Sequence, residues 1–117
     1  MDTLRPATVL ALVAAASFIG AAPAAKGCSG FDGTWQSAWS EGTTILKIRG
    51  TAGTYDYKDG RVTGTIDGNV FSGRYAQSNG TGTFRLTLAA DGASFSGSYV
   101  TSNAETGPWT GVCAGPP

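Results

Sequence analysis

One pattern recurs through most of this chain and limits its fold more than any other feature. It is apolar–x–Gly–x–apolar, and Phe71-Ser72-Gly73-Arg74-Tyr75 is its clearest copy. Phe31-Asp32-Gly33-Thr34-Trp35, Val62-Thr63-Gly64-Thr65-Ile66, Phe95-Ser96-Gly97-Ser98-Tyr99 and Trp109-Thr110-Gly111-Val112-Cys113 repeat it, and Thr51-Ala52-Gly53-Thr54-Tyr55 is a weaker version. In a strand, residues i, i+2 and i+4 share one face. Each copy therefore sets two large groups and a bare glycine on one face, with mostly Thr and Ser on the other. After residue 26, no window of ten or more residues carries the 3.6-residue period and caps of a helix.

Short alternating runs between turn signals predict eight strands: 33–39, 43–49, 52–57, 61–66, 70–77, 81–89, 94–101 and a short last one around 108–113. Trp35, Ser37 and Trp39 share a face. So do Thr44, Leu46 and Ile48, and Phe84, Leu86 and Leu88. Lys58-Asp59-Gly60, Asp67-Gly68-Asn69 and Asp91-Gly92 mark tight turns, Asp-Gly being a strong hairpin signal. A longer loop, 102–107, precedes the last strand. The expectation is an all-β, eight-stranded antiparallel up-and-down meander. Closing it into a barrel removes the exposed edges; an open or sandwiched sheet is the alternative.

Residues 1–25 read as a secretory signal peptide. Arg5 and the amino terminus supply charge, Ala7 to Ala22 is an uncharged run, and Ala22-Pro23-Ala24 offers a small–x–small cleavage site. A transmembrane anchor is the alternative, for which the run is short. Lipidation at Cys28 would need a bulky apolar residue three positions earlier, where Ala25 stands. The expected organisation is a leader, one small domain over 26–113 and a flexible tail over 114–117. Export places the protein in the periplasm or outside the cell. In such a compartment Cys28 and Cys113 are expected to pair, with two unpaired thiols as the alternative. A bond between them requires the two ends of the domain to lie side by side, as the first and last strands of a closed barrel do.

Composition narrows the chemistry. The chain has 8 basic and 8 acidic residues and no histidine. With no basic stripe, nucleic acid is not an expected partner. Lack of histidine removes the commonest general base and metal ligand. Pairing the cysteines removes thiol chemistry. Asp59, Asp67 and Asp91 sit beside Gly in turns, where Asp is favoured for local hydrogen bonding. No acid pair, calcium loop or phosphate-cradling loop stands out. The expectation is a non-enzymatic protein with no metal and no cofactor. The hydroxyl-rich outer face excludes a lipid-facing barrel, so no membrane contact is expected once the leader is removed.

The aromatic residues are expected mainly as core, since an eight-stranded barrel is just wide enough for side chains to fill. The inward glycines then have two readings. Either neighbouring rings or strand coiling occupy their space, or they leave a lined cavity for a small ligand. On the second reading Trp35, Trp39, Tyr55, Tyr75, Tyr99 and Trp109 are the candidate walls, with Trp39 and Trp109 at the rim.

Gly33-Thr34-Trp35, Ala52-Gly53-Thr54-Tyr55, Ser72-Gly73-Arg74-Tyr75 and Phe95-Ser96-Gly97-Ser98-Tyr99-Val100 resemble, in order, the strand motifs of the avidin-like family of secreted barrels. The resemblance implies an eight-stranded barrel, avidin-like or lipocalin-like, that holds a small ligand at one end. Tyr55 matches the family's binding tyrosine. Tyr57 stands where the family has a small hydroxyl donor, Ser37 with Ser40 or Thr43 matches its polar pair loosely, and Phe95 stands where it has a ligand-facing tryptophan. The late tryptophan and aspartate of its biotin pocket have no counterpart. The functional expectation is therefore a binding protein for a small apolar or aromatic ligand. The alternative is a protein–protein module, such as a hydrolase inhibitor, acting through its loops.

Overall fold

The computed structural model describes residues 27–117, so the expected leader lies outside the described residues. The strands are β1 (Gly33–Trp39), β2 (Gly42–Arg49), β3 (Ala52–Tyr55), β4 (Gly60–Asp67), β5 (Val70–Gln77), β6 (Gly80–Leu88), β7 (Ser94–Thr101) and β8 (Thr106–Gly115). Every sequential pair is antiparallel, and β8 returns to pair with β1, giving a closed up-and-down barrel. The β1–β8 ladder shifts register between Thr34 and Trp35 and sets Trp35 beside Cys113. Cys28 and Cys113 form a disulfide across 85 positions of sequence, with Cα atoms 6.2 Å apart. The expected pairing and barrel closure thus hold together.

The alternation places side chains as the pattern demands. Trp35, Ser37, Thr44, Leu46 and Ile48 are buried, while Ile45, Lys47 and Arg49 are exposed. One core cluster runs through the barrel and includes Trp35, Leu46, Val62, Phe71, Phe84 and Leu86. Phe31, just before β1, plugs one end. Its ring lies 5.5 Å from Phe71 and 6.5 Å from Phe95, and its carbonyl accepts the Trp35 Nε1–H at 2.9 Å. Asp32 ties this plug to the neighbouring turn by accepting the Gly50 N–H at 2.8 Å. Ile66, expected on the core face, is 40% exposed. It sits near the end of β4 at the plugged end, where Phe31 and Phe71 already occupy the interior.

Strand limits shift by one or two residues at β2, β3, β4, β6 and β8, and the shifts at β3, β4 and β8 accompany local contacts. β3 ends at Tyr55 rather than at 57 because Asp56 leaves the ladder to accept the Thr44 hydroxyl and, at 2.7 Å, the Ile45 N–H. The turn that follows centres on Lys58 and Asp59, both with positive φ (52° and 55°), closed by Gly60 N–H to the Tyr57 carbonyl at 3.0 Å. Positive φ at both central residues is the primed hairpin geometry. Gly60 is not a turn residue but the first of β4. β8 runs on to Gly115, and the Thr34 hydroxyl donates to the Pro116 carbonyl at 2.6 Å.

Candidate functional site

The fate of the glycines decides whether the barrel is hollow. In three hairpins a tyrosine near the end of the odd strand faces a glycine near the start of the next: Tyr55 with Gly60, Tyr75 with Gly82, Tyr99 with Gly107. Each ring lies over its glycine. A Cβ would come within 2.0 Å of the Tyr55 ring at Gly60, 2.4 Å of the Tyr75 ring at Gly82 and 2.4 Å of the Tyr99 hydroxyl at Gly107. At the other end, Phe95 covers Gly111 in the same way, and the Cys28 sulfur covers Gly33. Gly53, Gly64, Gly73 and Gly97 instead meet a carbonyl of the adjacent strand, closer than any Cβ tolerates. Rings and tight strand coiling therefore take up the space at all six glycines of the repeat.

A cavity does exist, but above these layers rather than within them. It is a half-open mouth of about 510 Å³ at the end where β1–β2, β3–β4, β5–β6 and β7–β8 turn. Its aromatic lining is Trp39, Tyr55, Tyr57, Tyr75, Tyr99 and Trp109. Five of the six expected wall residues thus meet around one volume. Trp35 does not: it is fully buried, its N–H is held by Phe31, and it packs 5.2 Å from Phe95. The expected rim pair also separates. Trp39 is at the rim, half-buried against Tyr57 at 5.0 Å. Trp109 is floor, buried over Phe84 at 6.0 Å.

The walls are polar as well as aromatic. The Tyr55 hydroxyl donates to Gln77 Oε1 at 2.5 Å, and Gln77 Nε2 donates to Asn79 Oδ1 at 2.8 Å. The Tyr99 hydroxyl shares a 2.5 Å hydrogen bond with Ser40. The buried Trp109 N–H is satisfied by Ser37 Oγ at 3.3 Å, and Ser37 donates to the Thr44 carbonyl at 3.2 Å. That network absorbs Ser37 into the floor. Thr101 Oγ1 accepts the Asn103 and Glu105 N–H groups, so the β7–β8 loop folds back over the rim. Glu41 and Glu105 are the charged residues of the lining. Tyr57, Gln77 and Glu105 were not singled out as walls from sequence. The inward parity of 75/77 and 105/107/109 was the available signal.

Two of the phenols, Tyr55 and Tyr75, favour their protonated form. Burial, then the neighbouring Tyr75 and Tyr57, push the Tyr55 hydroxyl well above its ordinary range, and burial with Tyr99 raises Tyr75. The Asp56 carboxyl is lowered by the Thr44 hydroxyl and the Ile45 N–H, so it is already committed to holding β2 against the turn. Among the described residues, no three His, Cys, Asp or Glu side chains are grouped to hold a metal. No family model, curated protein or solved structure matches the chain. Any functional account therefore has to come from the barrel and its mouth.

Proposed function

We propose that this protein is an exported, non-enzymatic barrel that holds a small apolar or aromatic ligand in its mouth. The observation that carries the proposal is the half-open cavity of about 510 Å³, walled by six aromatic residues above a solid core. Small-molecule sites are typically concave spaces of about 300–1,000 Å³ with mostly aromatic or apolar walls and a few placed polar groups. The mouth falls in that size range and is more polar than such sites usually are: Gln77, Asn79, Asn103 and Glu105 join Ser40 and the tyrosine hydroxyls around the rings. The raised Tyr55 and Tyr75 hydroxyls, in a chain without histidine, offer hydrogen bonds rather than proton transfer.

The loop 102–105, which a protein-binding module would use as its contact surface, is closed locally on Thr101 and lends Ser102, Asn103 and Glu105 to the mouth. That favours a ligand over a protein partner. Export belongs to the same proposal, since the Cys28–Cys113 disulfide suits an oxidising compartment. So does kinship with avidin-like barrels, on the strength of the strand motifs and topology; biotin itself is not proposed.

Native mass spectrometry of the protein purified from its own secretory compartment tests the proposal. A retained small molecule, released on unfolding, is expected. An empty protein whose tryptophan fluorescence is unmoved by a panel of small aromatic and apolar compounds would overturn it.

A further inference from the structure

We infer that the mouth selects an organic ammonium ion, a positively charged nitrogen carrying apolar groups. The inference rests on the binding reading above and narrows its ligand class.

Charge is the first observation. Among the described residues, the charged side chains lining the mouth are the carboxylates of Glu41 and Glu105, both exposed at the rim. Glu105 has the strand parity of Gly107 and Trp109, and its side chain makes no hydrogen bond among the described residues. Lys47, Arg49, Arg61, Arg74 and Arg85 are exposed and alternate with the inward positions, so they stand on the outer face of the barrel. Lys58, in the β3–β4 turn, holds its Nζ over the Tyr57 ring, 5.9 Å from the centroid. One wall of the site already attracts an ammonium group of the protein itself. An anionic ligand would meet two carboxylates with no cation in the lining.

Ring geometry is the second. Tyr75 is perpendicular to both Tyr99 (89°, 6.3 Å) and Trp109 (90°, 6.5 Å). Tyr55 stands at 82° to Trp109, and Trp39 at 69° to Tyr99. Parallel rings would leave a slot for a flat ligand. The rings here pack edge to face, so they leave no parallel slot, and a rounded cationic group would meet the faces that neighbouring edges do not cover. Aromatic faces attract cations by about 0.5–2 kcal/mol each, most strongly when water is excluded.

The third observation is a hydroxyl left free to meet a ligand. Tyr75 lines the half-open cavity, and its hydroxyl makes no hydrogen bond to the protein among the described residues. The N–H of a protonated amine can donate to the Tyr75 oxygen. The Tyr55 hydroxyl, which gives its proton to Gln77, also keeps lone pairs to accept a second donor.

Shape-matched pairs that differ in charge provide the test. Choline and its uncharged isostere 3,3-dimethylbutan-1-ol, and benzylammonium and benzyl alcohol, are titrated calorimetrically into the whole mature protein at low salt. At least one cation should bind about tenfold tighter than its neutral twin. Glu105→Gln should weaken that cation severalfold. Lys58→Asn, which removes the competing charge from a turn position that Asn tolerates, should strengthen it. Both substitutions should change the affinity of the cation by a larger factor than that of its neutral twin, and an equal change in the two overturns the inference. Equal affinity within both pairs, or preference for the neutral member, overturns the ammonium inference and leaves the binding reading standing. Binding of neither pair, with other compounds of an aromatic panel still bound, has the same meaning. A protein that binds none of these compounds overturns both.

Discussion

Both ends of this barrel are built from aromatic rings, yet they do opposite things. At the plugged end the rings are phenylalanines: Phe31, Phe71 and Phe95 pack against one another with no polar atom to satisfy. At the mouth stand all four tyrosines and two of the three tryptophans. A phenylalanine can be buried from every side. A tyrosine buried the same way must still find a hydrogen-bond partner for its hydroxyl, so its tip favours a wet or ligand-facing position. In β5 and β7 the repeat sets Phe at its first apolar place, at the plugged end, and Tyr at its last, at the mouth, so this choice marks which end closes. The glycine beneath each ring serves both ends alike, as Phe95 over Gly111 and Tyr75 over Gly82 illustrate.

The comparison predicts unequal costs at the two ends. Phe71→Ala should destabilise the fold by about 3–5 kcal/mol, as large truncations in sealed cores do. Tyr99→Phe, which removes only the Ser40 hydrogen bond, should cost about 1 kcal/mol. Chemical denaturation of the two variants measures the contrast, and similar losses would erase the distinction between core and mouth. Reducing the Cys28–Cys113 bond should cost about 4 kcal/mol, from the entropy of a long loop reopened in the unfolded chain. The cavity should survive, because the disulfide lies at the plugged end. Ligand binding by the reduced but folded protein checks this.

Smaller effects sharpen the same contrast. Gly82→Ala should cost about 1–3 kcal/mol, since the new methyl meets both the Tyr75 ring and the Val100 carbonyl. It should also disturb the mouth, seen as weaker binding by the purified variant.

The smallest effects are those of pH. Because Tyr55 and Tyr75 have folded pKa values above the ordinary 10.0, the fold binds protons more tightly than the unfolded chain there. Their contribution is complete below pH 10 and is lost as pH rises through the raised values. Tyr55→Phe should flatten this alkaline loss in denaturation curves. Asp56 behaves in the opposite sense. Its folded pKa lies below 3.8, so its contribution is complete above that pH and is lost as pH falls through the lowered value. It is an exposed group, and the acid limb removed by Asp56→Asn should be slight.

Much of the fold was legible in the sequence because its period is two and its turns are explicit. Thr44, Leu46 and Ile48 were assignable to the interior on alternation alone, and the barrel and disulfide each implied the other. The site was less legible. Alternation says that Trp35, Trp39, Tyr55, Tyr75, Tyr99 and Trp109 face inward, but not how high each stands along the barrel. Trp35 lies below the mouth because the Thr34/Trp35 register shift sets it beside Cys113, and Phe31 then captures its N–H. Gly60 was misleading for a related reason. An Asp-Gly pair is a turn signal, yet here the glycine is required one place later, beneath Tyr55. Tyr57 joins the mouth through a turn conformation that no strand period encodes.

The central claim is that one end of the barrel receives a ligand while the other is sealed, and the indole N–H groups report on it directly. Trp39 marks the rim, Trp109 the floor, and Trp35 the sealed core. In a ¹H–¹⁵N correlation spectrum recorded during titration with the tightest compound found, the Trp39 and Trp109 indole signals should move together and saturate. The Trp35 signal should stay in place. Saturable shifts at Trp35, or at turn residues of the plugged end, with Trp39 and Trp109 unmoved, would contradict the account.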